Sequence, residues 1–151
     1  MVTLQKTRRL GAIAILAVGA VHLEQYLGSG YHSIPTIGPL FLLNAVSSGV
    51  VAIGLLMPIE RVFHDRGAQL ASGLLAAAAV AIAAGSLIAL FISENGKLFG
   101  FSESGYRAAI VIAIVAEAVT IVLLAPVAVL NIMRAASGPG ATPSAEPLGS
   151  R

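Results

Sequence analysis

Four apolar runs, residues 10–27, 37–57, 68–92 and 106–132, constrain this chain more than any other feature. Crossing the hydrocarbon of a bilayer takes about 20 mostly apolar residues, and each run meets that length. Within lipid a segment must satisfy its own backbone N–H and C=O groups, so runs of this kind form helices. The fold class that follows is all-α, an integral membrane four-helix bundle. Composition points the same way. Of 151 residues 57% are hydrophobic and 11% are charged, under half the roughly one-quarter charge of a soluble domain. A water-soluble globule is excluded. Nucleic acid is excluded as a partner, because the nine Lys and Arg form no basic stripe. The absence of cysteine excludes disulfides, thiolate metal sites and iron–sulfur clusters.

Turn and charge signals separate the runs. Gly28-Ser29-Gly30 closes the first, Pro58 with Glu60-Arg61 ends the second, and Asp65-Arg66-Gly67 precedes the third. Ser93-Glu94-Asn95-Gly96 ends the third, where Asn and Gly tolerate a left-handed cap. Residues 134–151 lack periodicity and are rich in Gly, Pro and Ser, which reads as a disordered tail. Lys6, Arg8, Arg9, Arg61, Arg66, Arg134 and Arg151 fall on one side of the spans, and Lys97 and Arg107 on the other. The positive-inside rule then places both termini, with residues 1–9 and 134–151, in the cytoplasm, and the chain in the cytoplasmic membrane. A rival reading takes Lys6-Arg8-Arg9 and the apolar run ending near Ala20 as a signal peptide, which leaves three spans.

The segment from His22 to Leu56 contains His22-Leu23 and then Ile34-Pro35-Thr36-Ile37-Gly38-Pro39-Leu40-Phe41-Leu42-Leu43-Asn44. In this it resembles small four-span membrane proteins of actinobacteria to which no function is assigned. The resemblance covers about a quarter of the chain. It implies a four-span bacterial membrane protein, and carries over no activity and no site residue.

Helices in lipid associate through small residues and polar contacts. Gly73, Ala77, Ala81, Gly85 and Ala89 recur every fourth residue of the third span and are the expected helix-packing stripe, serving either the bundle or a second copy or partner. Pro126 is expected to kink the fourth span. Ionisable groups inside a span are costly and turn toward the bundle interior. At about 1.5 Å per residue from the outer ends, Glu24 lies about 5 Å deep, His22 about 8 Å, Ser86 about 9 Å, Asn44 about 10 Å and Glu117 about 16 Å. The inner half of the spans has nothing comparable. Glu24 points about 200° away from His22 around the first helix and suits a hydrated interfacial position. The expected pocket is lined by His22, Asn44, Ser86, Glu117 and Thr120 and roofed by Tyr26 and Tyr106. Each has a plainer reading: one interhelical hydrogen bond for His22, helix–helix glue for Asn44, a protonated and bonded carboxyl for Glu117. His32 and His64 read as exposed loop imidazoles, and Phe99 and Phe101 as rings dipping into the headgroup layer.

Only His22 among the histidines lies within a span, so bis-histidine haem ligation lacks its second ligand, and no metal set or cofactor is expected. There is no phosphate-binding glycine loop or nucleophile elbow. Three functions fit. The first is a non-enzymatic accessory or assembly subunit, in the lipid bilayer as a homo-oligomer or within a larger membrane complex. The second is a proton-coupled carrier or ligand-binding protein using Glu117 and His22, and the third a membrane enzyme or quinone site.

Overall fold

Buried residues recur at intervals of three and four over stretches of each long helix, the spacing that helices show when they pack at shallow angles. In the computed structural model, which describes residues 2–102 and 107–137, these helices are α1 (Val2–Gly28), α2 (Ile37–Leu56), α4 (Asp65–Asn95) and α5 (Ala108–Ala136). A 3-10 turn (Tyr31–Ser33) lies between α1 and α2, and a four-residue helix α3 (Ile59–Val62) lies between α2 and α4. All four long helices are long and apolar enough to cross a membrane. At about 1.5 Å per residue α4 measures about 46 Å, longer than a hydrocarbon core of about 30 Å.

The chain runs up, down, up and down, with α1 against α2 and α5, and α4 chiefly against α5. The core is an apolar layer of Ala12, Ile15, Val18, Ala52, Leu55, Ala76, Ala79, Leu124 and Val127. The residues turned outward, such as Leu43, Val46, Val50 and Ile53 on α2, are also apolar. A bundle apolar on both faces fits lipid as its solvent. Ala12, Ile15 and Val18 are what α1 supplies to this core.

Two expectations change. The four-residue stripe does not stay at one interface. Gly73 packs on Ile132 and Ala128 of α5, whereas Ala81 and Gly85 are exposed and Ala77 and Ala89 half-buried. A step of four residues advances about 40° beyond a full turn, so five members sweep about 160° around the helix. The contact line of α4 instead runs through Ser72, Ala76, Ala79, Ala83, Ser86, Leu90 and Ser93. The expected tail begins late, because Arg134 to Ala136 belong to α5; residues 138–151 lie outside the described residues. Pro126 sits within α5 without ending it.

Candidate functional site: a capped pocket with His22, Ser86 and Glu117

His22, Ser86 and Glu117 occupy inward positions of α1, α4 and α5. His22 Nδ1–H donates to the Val18 carbonyl one turn back at 2.9 Å. This bond fixes the tautomer of the neutral ring and leaves Nε2 as the acceptor. Nε2 takes a hydrogen bond from the Ser86 hydroxyl at 2.9 Å. The Glu117 Oε1 atom stands 3.9 Å from the same Nε2, with Ser86 beside it in the lining of one cavity. Glu117 is 1% exposed.

These three residues line a cavity of about 90 Å³ whose other walls include Val21, Ile37, Leu90, Ile110 and Ala113. Tyr31 closes its outer side. The ring stacks on Phe41 (centroids 4.8 Å apart, planes at 10°) and meets Phe101 edge-on at 5.6 Å. Phe41 in turn lies 5.0 Å from the His22 ring. Arg107 covers the other side of the cap: its guanidinium lies 5.6 Å from the Tyr31 ring centre and donates to the Tyr31 hydroxyl and to Gln25 Oε1. The first is a cation–π contact, and the two hydrogen bonds tie Arg107 to the cap.

Local backbone chemistry sets this cap. Thr36 takes φ 68° and ψ −46° between the Pro35 carbonyl and the Ile37 N–H, which bond at 2.8 Å. This is a γ-turn of the strained type, and it folds the Tyr31 segment back onto α2. Gly38 permits the approach, since a Cβ there would lie 2.7 Å from the Tyr31 carbonyl oxygen. Phe101 is brought in by a two-residue hairpin in which Leu98 and Phe101 exchange backbone bonds of 2.8 and 2.9 Å. Positive φ at both central residues, Phe99 and Gly100, is the type I′ pattern.

Of the residues expected to line the pocket, the structure brings together His22, Ser86 and Glu117. Thr120 is fully buried but its hydroxyl donates to the Ala116 carbonyl of its own helix at 2.8 Å, and it does not line the cavity. Asn44 accepts from Ser48 within α2 at 3.1 Å and lies outside the lining, where Phe41 stands instead. Tyr26 packs edge-on against His32, centroids 6.0 Å apart, and is replaced as the roof by Tyr31. Tyr106 lies outside the described residues. Glu24 is exposed and accepts from Gln25 at 2.6 Å. Phe101 lines the cavity, whereas Phe99 is 67% exposed. Sequence reasoning missed Tyr31, Arg107 and Ser93. Ser93 was findable, one heptad beyond Ser86; Tyr31 and Arg107 sit where no helical period operates.

The polar groups are not confined to this end. Arg8 is 4% exposed and its Nη1 donates to Glu60 Oε1 at 2.9 Å and to Ser72 at 3.0 Å. Arg8 precedes His22 by four turns on one face of α1, as Ser72 precedes Ser86 on α4. Each α1–α4 pair joins residues 64 apart in sequence, so the two parallel helices stay in register over about 21 Å. The helix α1 begins at Val2, and its helical phase turns Arg8, which lies just before the apolar run, inward.

Among the described residues no group of three His, Cys, Asp or Glu could hold a metal ion. The chemistry available is proton exchange. A Ser86 hydroxyl between an imidazole and a carboxyl can accept a proton from one and donate its own to the other. The Ser86–His22 pair lacks a carboxylate on Nδ1 to orient it as a hydrolase base. Comparison with protein-family models, with curated proteins and with solved structures found no match. The description that remains is of a bundle with four apolar helices, compatible with a multi-pass membrane protein.

Proposed function

We propose that the chain is a non-enzymatic ligand-binding protein of the cytoplasmic membrane, with both termini in the cytoplasm and its pocket in the outer half of the bundle. The ligand class is a small, largely apolar molecule with one hydrogen-bonding head. The observation that carries this reading is the convergence of His22, Ser86 and Glu117 from three helices on one cavity beneath an aromatic cap. Apolar walls with a few converging polar groups are the usual make-up of a small-molecule site, and an intramembrane acid facing a cavity supports it further. The same groups suit coupling of binding to a proton.

The test is extraction of the purified full-length chain and mass spectrometry of what it carries. A stoichiometric small molecule is expected from the wild type. Ala113→Phe, which fills the cavity and leaves every polar side chain in place, is expected to carry none while keeping its helical circular dichroism. Identical extracts from both proteins refute the reading.

A second reading, an accessory subunit, draws on α4. Gly85 has open space where a Cβ would stand, and Ala81 beside it is exposed. A small-residue face of this kind suits close approach of another helix.

A further inference from the structure

At the end of the bundle that holds the N-terminal turns of α1 and α4, a second cavity of about 410 Å³ opens beside Arg8. We infer that it is a binding site for an anionic phosphate group. Arg8 is nearly inaccessible, yet its hydrogen-bonding capacity is not used up. Nη1 makes both of its bonds, to Glu60 and Ser72, and Nε is buried with no partner. Among the described residues no hydrogen bond uses Nη2. A planar guanidinium held in place with donors unused is the group that best matches phosphate oxygens.

The surroundings have the corresponding polarity. Arg134, His64, Gln69 and Asn131 line the same cavity, together with the acids Glu60 and Asp65. Glu60 is 54% exposed along its side chain, so water screens its pairing with Arg8 and an incoming anion can displace it. Six of the eight Lys and Arg among the described residues (Lys6, Arg8, Arg9, Arg61, Arg66 and Arg134) sit at this end, against those two acids. The potential outside the cavity therefore draws anions. Leu4, Phe63 and Val127 give it an apolar wall, suited to the glycerol and upper acyl chain of a phospholipid. The phosphate can come from such a lipid or from solution.

The experiment uses the full-length chain in non-ionic detergent. Native mass spectrometry measures phosphatidylglycerol and phosphatidylcholine of equal chain length, and titration calorimetry measures inorganic phosphate. Phosphatidylglycerol is expected to bind about tenfold more tightly than phosphatidylcholine. Inorganic phosphate binding alone identifies a soluble anion as the source; phosphatidylglycerol binding without it identifies the lipid. Arg8→Gln is expected to weaken binding about tenfold, and Arg134→Gln about threefold. Glu60→Gln, which removes the competing carboxylate, is expected to tighten it about threefold. If Arg8→Gln does not fold, the other two variants still decide. No preference for phosphatidylglycerol with silent phosphate, or weaker binding by Glu60→Gln, overturns the assignment.

Discussion

Two glycines of α2 show how differently one residue type can act. A Cβ on Gly38 would stand 2.7 Å from the Tyr31 carbonyl oxygen and 3.0 Å from that of His32, whereas one on Gly49 would meet nothing within 4 Å. Carbonyls of a hydrogen-bonded turn cannot yield as a side chain can. Gly38→Ala is therefore expected to destabilise the protein by about 1–3 kcal/mol and to displace Tyr31 from its stack on Phe41. Gly49→Ala is expected to be neutral or to stabilise by up to about 1 kcal/mol, through better helix propensity. Thermal unfolding in detergent and near-ultraviolet circular dichroism check both; equal effects would discount the close approach. At this scale the candidate site was half legible. The cost that lipid would set on an outward-facing His22 or Glu117 marked both as inward-facing. Which hydroxyl lay between them was a matter of packing, and Thr120 and Asn44 had spent theirs, or their acceptor, on their own helices.

Along α4, small residues have two destinies according to helical phase. Ala76, Ala79 and Ala83 are fully buried, while Ala81 and Gly85 face outward. Ala79→Leu is expected to overpack the core and cost about 1–3 kcal/mol. Gly85→Leu is expected to leave the stability of a single bundle unchanged. If the outward face holds a second copy or a partner, the same variant dissociates it, as the mass by size exclusion with light scattering will read. An unchanged mass refutes the accessory-subunit reading. A four-residue recurrence and a heptad are hard to tell apart over two turns and diverge over four, which is why the stripe was visible in the sequence and its orientation was not.

For the whole molecule, two polar chambers lie at opposite ends of one apolar layer. Arg8 and Ser72 belong to one and His22, Ser86 and Glu117 to the other, with Ile15, Val18, Ala76, Ala79 and Leu124 between them. Leu4 and Arg134 line the same cavity, so the starts of α1 and the end of α5 share one end of the bundle. The chain contains no cysteine, which makes single-cysteine labelling unambiguous. In intact cells an impermeant thiol reagent is expected to modify Lys97→Cys and to spare Arg61→Cys and Ser137→Cys until the membrane is opened. The opposite pattern would invert the orientation and exchange the sides on which the two chambers open.

The sequence by itself determined the number of long helices, their apolar character and the inward turn of the acid and the imidazole within the apolar runs. Each follows from a local cost: an unpaired peptide group or an exposed charge cannot be carried in hydrocarbon. Only the tertiary structure decided what those groups meet. The cap of Tyr31, Phe41 and Phe101 depends on a γ-turn at Thr36 and a hairpin at Gly100, whose effect is felt across helices far apart in the chain. The burial of Arg8 depends on helical phase carried through four turns from His22 to a position outside the apolar run. Periodicity states which face of a helix is turned inward; the packing of neighbouring helices selects the residues that come into contact there.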